Sequence, residues 1–155
     1  RLVDRAAVVV EASRPRALRQ WGLDAETEVE GGTVWVSITG YGRIGPRSGG
    51  VAFGDDAAVS GGLLLDNPVG FVADAPADPA GGLVAAVLAL VGVADPAGWL
   101  IDVPLAGVAA WLAGDPRIPD HPVEVEVSSP RARRVGGSAA GLGTDTEKVA
   151  ASLGS

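Results

Sequence analysis

The chain has no cysteine, no methionine, a single histidine and only 5% aromatic residues. Without cysteine it can form no disulfide, present no thiolate nucleophile and ligate no metal through sulfur. The same absence fits a cytoplasmic location. His121 by itself builds neither a multi-histidine metal centre nor, with a serine and an aspartate elsewhere, a convincing triad. Long apolar runs are also missing. The longest, residues 81–93, is too short and too rich in glycine to span a bilayer, and no segment has the build of a signal peptide. Positive charge is scarce relative to negative: the net charge is -7, which argues against nucleic acid as a partner. What remains is carboxylate chemistry that needs no metal and no redox cofactor.

What is present is a core. Of the 155 residues 47% are hydrophobic, mostly small and aliphatic, which suits packed helix and sheet layers. Residues 6–11 (AAVVVE) form a short continuous apolar run, the pattern of a strand buried on both faces. Pro15 and Gly22 bracket a short helix, one near its first position and one just past its end. Residues 33–39 (TVWVSIT) read as a second strand, followed by a loop over 40–50 broken up by glycines and a proline. A helix is expected over 53–65, with Asp55 and Asp56 in its first turn, and the strongest helix over 78–93. Residues 99–103 (WLIDV) read as a buried strand and 105–112 as a short helix. A Pro-rich linker over 115–122 contains His121, read as an exposed loop residue. It leads to an alternating strand at 123–127 (VEVEV) and a surface helix over 145–153. Strands alternating with helices predict an α/β fold around a partly parallel sheet, Rossmann-like, with flanking helices. The opening residues 1–7 read as the end of a helix feeding a strand, so an N-terminal portion is expected to be missing.

Asp78 is the candidate nucleophile. Pro79 biases it toward extended angles that suit an N-cap, and the helix N-terminus favours the anion. The plainer reading is that Asp-Pro is simply a good N-cap pair. Asp74 is the rival. Gly40, Tyr41 and Gly42 could leave backbone N–H groups for a thioester oxygen, or could simply make a turn. Arg14 and Arg19 flank a strand–turn–helix of the kind that binds phosphates, and could equally be solvated. Asp55 and Asp56 read as helix-start charges, not a metal pair.

Several stretches, in order, resemble the family III coenzyme A transferases, which include formyl-CoA transferase, carnitine CoA-transferases and α-methylacyl-CoA racemase. Residues 8–15 (VVVEASRP) resemble the family's strand and E-N-F-R-P-G turn. Residues 36–46 (VSITGYGRIGP) resemble its V-S-I-S-G-F-G loop. Residues 78–86 (DPAGGLVAA) are similar to the segment carrying the catalytic aspartate, 99–105 (WLIDVPL) to a later strand, and 141–147 (GLGTDTE) to the C-terminal element. The spacing after Asp78 matches without a gap, which is why it is preferred to Asp74.

The resemblance implies that Asp78 carries CoA through an aspartyl-CoA thioester between an acyl-CoA and a carboxylic acid. It implies CoA contacts at Ala12, Ser13 and Arg14, although Ala12 and Ser13 stand where the family has Asn-Phe. It implies a homodimer, or a complex with a longer homologue. It assigns 1–114 to the central part of the large domain, 115–122 to a linker, and 123–155 to a C-terminal element packing back on that domain. The family's small domain is expected to be absent. The racemase branch places a histidine where this chain has Ala52, which weighs against racemase chemistry. A catalytically inactive CoA-binding or regulatory subunit is the remaining alternative.

Overall fold

The computed structural model describes residues 1–13, 15–114 and 136–154. Arg14, the linker with His121 and the 123–127 strand lie outside the described residues. Two compact units divide the chain, one holding residues 3–114 of those described and the other Arg1–Leu2 with 136–154.

The larger unit is built on three parallel strands, β1 (Val8–Glu11), β2 (Val34–Thr39) and β5 (Trp99–Pro104), in the order β1-β2-β5. A single 3-10 turn, Val3–Arg5, precedes β1. Between β1 and β2 lie α1 (Pro15–Gln20) and α2 (Ala25–Glu30). Between β2 and β5 lie α3 (Gly54–Ser60), the antiparallel hairpin β3 (Leu64–Asp66) and β4 (Val69–Phe71), and α4 (Ala77–Val93). Helix α5 (Leu105–Ala113) follows β5 directly. These helices cover both faces of the sheet, as parallel strands require.

The period of two along β2 sorts the core. Val34 and Val36 point to one side with Ile101, Val103 and Val108, against Ala85 of α4. Trp35 points to the other, against Leu18, Ala25 and Val29. Burying each of Val34, Val36 and Val103 contributes about 1.5–3 kcal/mol. Helix α4 buries only small residues: Ala85 and Gly92 face the sheet, while Ala77 packs with α3 and α5 and Gly81 lies against Leu105. A methyl on Gly92 would lie 3.0 Å from Val34.

The structure corrects several expectations. The first strand lies at the edge of the described sheet with no fully buried residue, and Val10 is exposed. β5 likewise buries only Ile101 and Val103. The helix expected over 53–65 stops at Ser60, because Gly62 adopts a φ of +92° that an L-residue resists and the chain then turns into the hairpin. Helix α2 was not expected; Asp24 caps it by accepting from the Thr27 N–H. Asp78 is not an N-cap but the second residue of α4, whose cap position is Pro76. Pro79 is tolerated there because the first helical N–H groups have no intrahelical partner to lose.

In the second unit α6 (Thr146–Leu153) is a surface helix with no buried residue, as read from sequence. Among the described residues no helix is long and apolar enough to cross a membrane.

Candidate active site

A cavity of about 280 Å³ opens at the carboxyl ends of β1 and β2. This is where α/β sheets bind ligands, because the strands end there and loops and helix starts converge. Ala12 and Ser13, just past β1, form one wall, and Thr39 and Gly40, at the end of β2, another. Asp78 enters from the first turn of α4, with Leu105, Ile38, Ala52 and Phe53 making the surroundings apolar. Asp78 is exposed to solvent on this side.

Two close approaches shape the pocket around Asp78. Gly54 opens α3 directly beneath the carboxylate: a methyl there would lie 2.6 Å from both Cγ and Oδ2 of Asp78. Gly40 lies against Ala52, where an added methyl would meet Ala52 Cβ at 2.9 Å. The acidic pair of α3 is spent on structure. Asp55 accepts from the Ala75 N–H (2.8 Å) and Asp56 from the Phe53 N–H (3.1 Å). Among the described residues no cluster of potential metal ligands exists.

The structure thus gathers Asp78, Ala12, Ser13 and Gly40 around one cavity and leaves Tyr41 and Gly42 off its lining. Gly42 donates its N–H to Thr39 Oγ1 (2.9 Å), so that donor is already engaged. Tyr41 lies under the Arg47 guanidinium, 3.6 Å from ring centroid to Cζ. Asp74 is exposed in the bend before α4 and does not line the cavity. Arg19 faces away, paired with Asp24 (2.8 Å) and Glu26 (3.4 Å). The hydrogen bond and charge of those acids hold the Arg19 guanidinium above its ordinary range, and Arg19 in turn holds Asp24 below its own.

Sequence reasoning passed over a polar network next to this site. Glu11 closes β1 with its side chain only 7% exposed. One carboxylate oxygen accepts from Ser37 Oγ (2.5 Å), and the other from the backbone N–H of Ser13 (2.7 Å). Arg43, equally buried, donates to Ser37 Oγ (2.7 Å) and to Glu26 Oε1 (2.8 Å), and lies 3.7 Å from Glu11. The Arg43 hydrogen bond pulls the Glu26 carboxyl below its ordinary range. Asp102 of β5 fastens the same loop, accepting from the Arg43 backbone N–H (2.6 Å) and Thr39 Oγ1 (3.1 Å). The signal was a glutamate ending an apolar strand beside a serine in the middle of another, which only strand register connects: Glu11 pairs with Ser37.

Comparison with known proteins decides the family. The description CoA-transferase family III matches residues 1–140. The chain belongs to CoA-transferase family III. A CaiB/BaiF family protein from Brucella suis superposes with a TM-score of 0.66 at 25% identity, over 73% of this chain and 33% of its own. A hypothetical protein from Mycobacterium tuberculosis gives 0.64 at 24%, over 72% and 36%. A further crystal form of the latter gives 0.62 at 25%, over 72% and 35%. No curated protein matches the sequence significantly. This family III chain spans about a third of the length of those solved structures. Its parallel sheet with flanking helices is the fold they share with it.

Proposed function

We propose that this family III chain belongs to a CoA-transferase that moves coenzyme A between an acyl-CoA and a carboxylic acid, with Asp78 as the nucleophile. The observation that carries this reading is the convergence of Asp78, Ala12, Ser13 and Gly40 on one apolar-walled cavity at the strand ends. A nucleophile for acyl transfer must reach substrate and form a reactive acyl intermediate. The Asp78 carboxylate attacks the thioester carbonyl, the C–S bond breaks, and an aspartyl–acyl anhydride and CoA thiolate result. The thiolate then attacks the aspartyl carbonyl of the anhydride, releasing the first carboxylate and leaving an aspartyl-CoA thioester. A second carboxylate takes the CoA by the reverse order.

On this reading residues 1–114 supply the central part of a large domain, 115–122 a linker and 123–155 a C-terminal element. The protein acts in the cytoplasm as a homodimer or beside a longer homologue. Ala52, on the cavity wall where the racemase branch places a histidine, favours transfer over α-proton exchange. The test is intact-protein mass spectrometry after incubation with acyl-CoAs, on wild type and Asp78→Ala. A hydroxylamine-sensitive acyl or CoA adduct on wild type alone is expected. The absence of any adduct on folded wild-type protein, or equal labelling of the variant, sinks the assignment.

A further inference from the structure

The buried network behind the cavity has a reach that stability alone does not require. A carboxylate and a guanidinium taken out of water are rarely better for folding than apolar residues of the same volume. Yet the side chains of Glu11, at the end of β1, and Arg43, in the loop after β2, are both only 7% exposed. The arrangement is fully satisfied and directional. Ser37, completely buried, accepts from Arg43 and donates its hydroxyl hydrogen bond to Glu11 Oε1. That leaves Glu11 Oε2 aimed out of the network at one group, the backbone N–H of Ser13 at 2.7 Å. Ser13 and Ala12 are the wall of the cavity that Asp78 enters. On its other side Arg43 is held by Glu26 and, through its backbone, by Asp102, so the anchor is fixed to α2 and β5 as well.

We infer that Glu11 is a positioning residue: its carboxylate, braced by Ser37 and Arg43, fixes the Ala12–Ser13 turn as a preformed wall for the CoA end of the substrate. The inference rests on the reading of this cavity as an acyl-CoA site. Without the brace the turn past β1 has no strand partner among the described residues, since β1 pairs there only up to Glu11. Ligand binding then has to order the turn, and the loss falls on affinity. Asp78, carried by α4 and not by this turn, keeps its place.

Glu11→Asp separates this role from folding. It keeps the charge beside Arg43 but shortens the arm that reaches Ser13. The full-length protein and the Glu11→Asp, Ser37→Ala and Asp78→Ala variants are compared for CoA affinity by titration calorimetry, for adduct formation at saturating acyl-CoA, and for Tm. Glu11→Asp is expected to weaken CoA binding about tenfold, the loss of one hydrogen bond to a charged group, while labelling at saturation stays within about twofold of wild type. Ser37→Ala leaves the Glu11–Ser13 bond in place, so it is expected to lower Tm more than affinity. Asp78→Ala is expected to bind CoA and not label. Wild-type affinity in a folded Glu11→Asp protein overturns the inference and leaves the transfer reading intact. A wild-type protein that neither binds CoA nor labels overturns both.

Discussion

At the scale of the residue, the Asp78 carboxylate owes its place to an absent side chain. Gly54 stands at the start of α3 where any Cβ would press on Asp78 Cγ and Oδ2 at 2.6 Å and on Ala75 Cβ at 2.9 Å. Gly54→Ala therefore has to displace either the carboxylate or the turn that carries it. Alanine is a better helix former than glycine, so α3 itself is not harmed. An ångström of displacement at a reacting group costs on the order of 10²-fold in rate. The expected outcome is a folded Gly54→Ala protein, with Tm close to wild type, whose labelling by acyl-CoA slows by about that factor. Normal labelling would show that the carboxylate can react from elsewhere. Glu26 supplies a second expectation, in pH. Its carboxyl is held low, first by the Arg43 hydrogen bond and against a smaller opposing cost of burial. A depressed folded value stabilises the protein above the unfolded glutamate range, and the gain is lost as pH falls through the folded value. Because the Glu26 side chain is 48% exposed, the pair contributes no more than about 0.5 kcal/mol. The Tm gap between wild type and Glu26→Gln is therefore expected to be small and constant from pH 8 to about 5. It should close only below the ordinary glutamate range. A gap that widens on acidification contradicts the pairing.

At the scale of the element, legibility followed how local the deciding interaction is. Strand β2 and helices α4 and α5 were readable because their apolar runs and β-branched content act within a single segment. Helix α2 was missed because AETEVE carries little apolar periodicity, although Asp24 and Thr27 form a local cap that could have been seen. The end of α3 was misjudged for a tertiary reason. A methyl on Gly61 would meet Ala109 Cβ at 2.5 Å and the Ala110 backbone nitrogen at 2.6 Å, so this glycine serves the contact with α5. Together with the positive φ of Gly62 it turns the chain into a hairpin that sequence periodicity alone continues as helix. The N-cap expectation for Asp78 failed similarly. The bend over Ala75 and Pro76 starts α4 earlier, with Asp78 N–H donating to the Ala75 carbonyl at 3.0 Å. Of the candidate site, Asp78, Ala12, Ser13 and Gly40 were singled out through the family resemblance and share one cavity, as α/β topology allows for strand ends and helix starts, whereas Tyr41 and Gly42 from the same strand end do not line it. The Glu11–Ser37–Arg43 bracing was not, because it depends on the register between two strands that are 26 residues apart at that pair.

At the scale of the whole molecule, the larger unit is organised around one strand. β2 is bonded on both sides, to β1 through Val34–Ser37 and to β5 through its full length. It contributes Val34, Trp35, Val36 and Ser37, all fully buried, to the cores on both faces of the sheet. β1 and β5 each have β2 as their only partner in the described sheet, and the β3–β4 hairpin leaves Val69 and Phe71 largely exposed. Opening free energies rise with buried apolar contact and with backbone bonds shielded from water. Amide hydrogen exchange is therefore expected to be slowest across β2, intermediate in α4 and β5, and fastest in the hairpin and α6. The catalytic reading depends on this gradient, because three parts of the cavity wall hang from the ends of β1, β2 and the start of α4. If β2 is the last part to open, addition of CoA should protect the Ala12–Ser13 turn and the Gly40 loop without altering β2 itself. Exchange in β2 as fast as in the hairpin would mean that the cavity is not supported by a rigid centre, and that the family fold in this chain depends on something outside the described unit to hold the site in place.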